Sequence, residues 1–189
     1  MILPPRPPNS RDREAGRILT HVARTAVAAA LTGCPTQPPR PDPSAMAPSL
    51  LNPQPVFVTI RTRDGNLRGC IGTLRARCPD VVEETWRLAR EAAFSDSRFS
   101  PVTLAEMPDL RFEVSVLQPL EPVSDLAILD PHRFGIVVST EDGRRGALLP
   151  DVEGIDTVDR QLAIARRKGG IGAMEPARIQ RFTVQKFSE

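Results

Sequence analysis

A chain of 189 residues, 40% hydrophobic and 25% charged, is long enough to bury a substantial core and has the composition of an ordinary globular protein. Its formal net charge of +2 argues against a strongly electrostatic nucleic-acid binder, and aromatics at 4% argue against recognition by base stacking. Cys34, Cys70 and Cys78 form no CxxC pair and have no histidine at ligand spacing, so neither a disulfide framework nor a metal site is expected, and the setting reads as a reduced cytoplasm.

Residues 1–9 read as a disordered proline-rich tail. The run from Ala26 to Leu31 is too short and too rich in alanine to span a membrane. A helix is expected over 10–32, with Ser10 or Asn9 as its cap and Gly33 as its reversal. Ile18, Leu19, Val22, Ala23, Ala26 and Val27 give it one apolar stripe. Most of the 20 prolines precede Val56, so segment 34–55 is expected to be an irregular loop wrapped on the domain.

A hairpin follows, with strands over 56–62 and 67–74 joined at Asp64-Gly65. With a two-residue turn there, Thr59 faces Cys70, Phe57 covers Gly72 and Arg61 faces Arg68. Opposed arginines repel, so a protein carboxylate or an anionic ligand is expected beside them. A helix beginning at Pro79 or Asp80 and running to about Phe94 comes next, and then a strand over 110–117 that alternates cleanly. Beyond Val123 the pattern gives strands at 134–139 and 145–149, a helix over 158–168 capped by Asp156 or Thr157, and a terminal strand over 181–187. The fold class is α+β: a central, mostly antiparallel sheet with flanking helices in a larger lobe (10–122), a smaller α+β lobe (123–176) and a terminal segment (177–189).

The most informative stretch is Leu67-Arg68-Gly69-Cys70-Ile71-Gly72. Alternation puts Arg68 and Cys70 on one face of a strand, and a cation near a thiol favours the thiolate. Two readings of Cys70 stand: a nucleophile stabilised by Arg68, or a buried small hydrophobe. Arg61, Arg68, Asp96, Arg98 and Glu113 form a second group, either an anion-recognition site or a framework of ion pairs under the Ser95–Pro101 loop. The string from Arg166 to Gly172 resembles a phosphate loop but ends a helix where such loops open one. No nucleotide fingerprint or serine triad is present, and no cofactor is expected.

The hexapeptide, the block Ala92-Ala93-Phe94-Ser95-Asp96-Ser97-Arg98-Phe99-Ser100-Pro101, Glu113-Val114-Ser115-Val116-Leu117, Leu148-Leu149-Pro150-Asp151 and Arg167-Lys168-Gly169-Gly170-Ile171 follow one another in the order of a known family. Together they resemble the AMMECR-type domain, named for the chromosomal region of Alport syndrome with midface hypoplasia and elliptocytosis. Gly170 and Phe134 depart from the family's usual alanine and tyrosine. The resemblance implies two α+β lobes with the hexapeptide near the cleft between them. It implies an enzyme, or a small-ligand-binding subunit of a modification pathway, centred on Cys70 and Arg68. Memo-like and radical SAM proteins are the implied company. The alternative is a non-catalytic adaptor for a protein, RNA or a small anion.

Overall fold

The computed structural model describes residues 10–34, 37, 38, 42 and 48–189, and the proline-rich tail lies outside these. Two compact units result, one running up to Val116 and including Lys186–Glu189, the other running from Leu117 to Gln185.

The first unit begins with helix α1 (Ser10–Thr32), reversed by Gly33 at φ 68°. Its apolar stripe is buried: Leu19, Ala23, Ala26 and Val27 are each 0% exposed. Strands β1 (Val56–Thr62), β2 (Leu67–Gly72) and β3 (Leu110–Leu117) join the last strand, β8 (Val184–Ser188), in the order β2-β1-β3-β8. Val56, Val58 and Ile60 of β1, with Leu110, Phe112 and Val114 of β3, turn to one side and form a core with α1 and α2 (Val81–Phe94). Burial of each such side chain stabilises by about 1.5–3 kcal/mol. Period-two alternation leaves Phe57, Thr59 and Arg61, with Arg111, Glu113 and Ser115, on the opposite face.

Helix α2 starts on Asp80, whose side chain accepts from the Glu83 amide at 2.8 Å. Glu84 in its first turn is fully buried and accepts from the Thr73 hydroxyl, the Arg77 and Cys78 amides and the Arg87 guanidinium. Burial pushes its carboxyl up, but these donors outweigh that and hold it below the usual range.

The second unit carries β4 (Glu121–Pro122), β5 (Gly135–Ser139), β6 (Arg145–Leu148) and β7 (Arg178–Phe182) in the order β4-β7-β5-β6, with helix α3 (Val158–Lys168) capped by the Thr157 hydroxyl. Phe134, Ile136, Val138 and Leu148 cluster with Ala165 of α3. The fold is thus α+β, with two antiparallel sheets.

Two expectations are corrected here. The 34–55 segment is not wholly irregular: Pro48–Leu51 makes a 3-10 turn that buries Leu50 completely. Proline suits a first helical position, so a proline-dense run does not forbid a single turn. The single terminal strand is two, divided at Thr183. Residues 178–182 enter the second sheet and 184–188 the first, so the break belongs to the topology and leaves little trace in hydropathy.

Strand β2 lies so close to α2 that a β-carbon on Gly69 would sit 2.2 Å from the Ala92 carbonyl oxygen, whereas the nearest atoms to one on Gly72 belong to the Phe57 side chain. A backbone oxygen inside a helix cannot yield and an aromatic ring can. Gly69→Ala is therefore expected to destabilise by about 1–3 kcal/mol and Gly72→Ala by clearly less, measured as the shift in urea midpoint.

Candidate functional site

The hairpin turn sets the register of the site. The Gly65 amide donates to the Thr62 carbonyl at 2.9 Å, and the Thr62 amide donates to Asn66 at 2.9 Å. Gly65 adopts φ 85°, so Arg63-Asp64-Gly65 is a three-residue loop and not the two-residue turn expected at Asp64-Gly65. A bulge between Ile60 and Arg61 absorbs the extra residue, and Arg61 pairs with Leu67 rather than Arg68. Beyond the bulge the expected register holds: Thr59 faces Cys70, and Phe57 covers Gly72.

Strand β2 is an edge, and at Cys70 its amide and carbonyl point away from β1. Asp96, only 5% exposed, accepts from the Cys70 amide at 2.8 Å, and the Arg98 guanidinium donates to the Cys70 carbonyl at 3.3 Å. Arg98 also grips Asp96, with nitrogen–oxygen distances of 2.9 and 2.7 Å. Arg98 together with the Cys70 and Arg98 amides holds the Asp96 carboxyl far below the usual carboxylate range. Because Cys70 and Thr59 are a non-hydrogen-bonded pair, their side chains approach closely. The Thr59 Oγ1 lies 3.3 Å from the half-buried Cys70 Sγ.

Arg68 is committed elsewhere. Its Nε donates to Glu106 at 2.7 Å, and its Nη2 reaches Glu106 and the Pro101 carbonyl, both at 3.3 Å. Glu106 also accepts from the Thr103 amide and hydroxyl at 2.8 and 2.9 Å. The Arg68 fork, helped by Thr103, holds the Glu106 carboxyl down to about 2, from an ordinary value of 4.5. The guanidinium bonded at Cys70 is thus Arg98. Glu106 escaped the sequence reading, although Thr103-Leu104-Ala105-Glu106 spells a capping box.

Arg61 folds onto the Gly65 carbonyl at 3.0 Å, and across the sheet it faces Arg111. Arg111 reaches only the Leu110 carbonyl, so this opposed pair has no carboxylate partner among the described residues. Glu113 sits beside Thr59 in the sheet and pairs with Lys186 at 3.2 Å. Of the six residues singled out from the sequence, Cys70, Asp96 and Arg98 come together, while Arg68, Arg61 and Glu113 each have other partners. His21 reaches Thr25, and His132 reaches Asp151 and Asp156. Burial and the neighbouring Glu84 carboxylate push the Cys78 thiol up. Among the described residues no cluster of three or more ligand side chains could hold a metal ion, and no helix is long and apolar enough to cross a membrane.

This edge clamp lies inside a stretch shared with a known family, whose profile, described as AMMECR1, matches residues 20–187. The chain belongs to the AMMECR1 family. A Thermotoga maritima protein is 46% identical over 132 residues, covering 69% of this chain and 75% of that protein. A Clostridium acetobutylicum protein is 40% identical over 134 residues, 71% of this chain but only 28% of that longer protein. The crystal structure of an uncharacterised Pyrococcus horikoshii protein superposes with a TM-score of 0.80 at 31% identity, covering 94% of this chain and 92% of that one. The Pyrococcus horikoshii protein shares the fold, and the names of these AMMECR1 relatives carry no activity.

Replacing Asp96 by alanine leaves the Cys70 amide unsatisfied at a closed edge, which is expected to cost about 1–3 kcal/mol. Arg98→Ala, at a half-exposed side chain, is expected to cost less; chemical denaturation of both variants checks the order. Glu106 and Asp96 also make the first unit acid-sensitive. A carboxyl depressed on folding stabilises fully above its ordinary value, and the contribution is lost as pH falls through the folded value. Stability is therefore expected to drop from pH 4.5 toward pH 2, and Glu106→Gln to flatten part of that slope in melts recorded across pH.

Proposed function

We propose that this AMMECR1 protein binds a small ligand on the polar face of the β1–β2 hairpin. The Cys70 thiol is the group that meets the ligand, Thr59 is its hydrogen-bonding partner, and Arg98 is the cation fixed against its backbone. The observation that carries the reading is the effort concentrated on one residue. Asp96 and Arg98 lock the Cys70 backbone from the edge, and Thr59 contacts its sulfur from the next strand. A cysteine that merely fills space needs none of these polar partners, and this one is only half-buried. Arg68 supports the site indirectly, because its bond to Glu106 ties β2 to the segment after Pro101. A thiol so placed suits a nucleophile in a modification pathway.

A second reading, a non-catalytic adaptor for an acidic protein or small anion, draws support from the opposed and unpaired Arg61 and Arg111. Memo-like and radical SAM proteins are the partners against which that binding would be measured. RNA fits it less well, given the charge and aromatic content.

Site-resolved alkylation separates these readings. In the folded protein Cys70 is expected to react with iodoacetamide at neutral pH faster than the exposed Cys34 and much faster than Cys78. Thr59→Val and Arg98→Ala should each change the Cys70 rate several-fold and leave Cys34 unaffected. Labelling of Cys70 only on unfolding would overturn the thiol reading. Loss of partner binding in Arg61→Ala or Arg111→Ala, with Cys70→Ser silent, would favour the adaptor.

A further inference from the structure

The second unit's sheet carries a feature of a different kind on the face turned away from α3. There an open groove of about 450 Å³ is lined by Ser139, Arg145, Arg178 and Gln180, with Pro122 and Ala177 among its apolar walls. That volume suits a small ligand. The register explains how these side chains meet. Ser139 on β5 pairs with Arg145 on β6 to one side and with Arg178 on β7 to the other. Gln180 follows on β7, between Val137 of β5 and Pro122 of β4. Alternation puts Arg145, Ser139, Arg178 and Gln180 on the same face, while Ile136, Val138 and Leu148 face the core with α3.

The charges in this row are uncompensated. Neither the Arg145 nor the Arg178 guanidinium has a hydrogen bond or ion pair among the described residues, and no carboxylate lines the groove. The arginines that hold this unit together behave otherwise. Arg144 pairs with Asp142 and Glu175, Arg166 donates to the Gly172 and Glu175 carbonyls, and Arg181 pairs with Glu121. Neighbouring strands lie about 4.8 Å apart, so the two free arginines rise from backbones roughly 10 Å apart. Side chains of that length can reach over the serine between them to a single anion.

We propose that this groove binds a tetrahedral oxyanion, the phosphate of a small phosphomonoester. The Arg145 and Arg178 forks donate to the phosphate oxygens and the Ser139 hydroxyl donates to another. The rest of the ligand lies along Pro122 and Ala177, within reach of the Gln180 amide. A single carboxylate offers two coplanar oxygens and one negative charge for two guanidinium groups, whereas a phosphomonoester offers three terminal oxygens spread in space and close to two charges. A phosphate has oxygens for both forks and for the hydroxyl. The site is independent of Cys70, so its test says nothing about the thiol reading and borrows nothing from it.

Isotope-labelled protein titrated with inorganic phosphate, phenyl phosphate and succinate, followed through the Ser139 and Gln180 amide signals, tests the proposal. Saturable shifts are expected with both phosphates, tighter for phenyl phosphate and weaker for succinate. Arg145→Ala and Arg178→Ala should each weaken phenyl phosphate by about tenfold or more, and Arg160→Ala, on the exposed surface of α3, should not. If an alanine variant fails to fold, Arg145→Lys and Arg178→Lys decide, because they keep the charge, lose the fork and should still bind several-fold more weakly. Shifts that do not saturate, a double variant that binds phosphate as well as the parent, or succinate binding as tightly as phenyl phosphate would overturn the assignment.

Discussion

The Asp96 carboxylate closes the open edge of the first unit's sheet, and the candidate site depends on that closure. An edge strand presents unpaired amides and carbonyls, which invite foreign strands or water. At Cys70 both groups are taken up, the amide by Asp96 and the carbonyl by Arg98, while Arg98 and Asp96 hold each other. Burying a carboxylate is unfavourable unless its oxygens are fully engaged, and here backbone and guanidinium donors supply that engagement. The strand is thereby fixed from outside, α2 presses on it at Gly69, and Cys70 has a defined position opposite Thr59.

The same device recurs through the first unit. Glu84 gathers the loop before α2, Glu106 holds Arg68 and caps its own segment, and Glu189 grips Arg24 at 2.8 and 2.6 Å. Arg24 donates as well to the Met107 and Leu110 carbonyls and lies over the Phe112 ring at 5.0 Å. Each carboxylate organises backbone as well as a cation, so these charges are framework. Against them stand Arg61 with Arg111, directly opposed in the first unit, and Arg145 with Arg178, either side of Ser139 in the second, neither pair with a carboxylate partner among the described residues. Cations that the framework leaves unpaired are the ones open to a ligand. The division explains why Arg68, the arginine of the hexapeptide, is an anchor instead.

Much of both units was legible before any coordinates. Helices α1 and α3 and strand β3 begin and end where periodicity and capping residues put them, because amphipathic spacing and side-chain caps are local properties. Thr59 beside Cys70 and Phe57 over Gly72 were legible for the same reason, since alternation propagates a register along a strand. The Glu106 capping box was equally local, and could have been read from Thr103 and Glu106 alone.

What the sequence by itself determined is therefore the α+β class, the helices α1 to α3 and most of the strands, the family and the face of the sheet on which Cys70 lies. What only the tertiary structure decided is which charge meets which. Gly65 at positive φ lengthened the turn, the bulge moved Arg61 away from Arg68, and Arg111, a strand away, became its neighbour. Glu106 reached Arg68 across 38 positions of sequence, and residues 178 to 188 divided between two sheets. The physical reason is range. Hydropathy and capping act within a few residues, whereas ion pairing and sheet order depend on distances that exist only once the chain has folded.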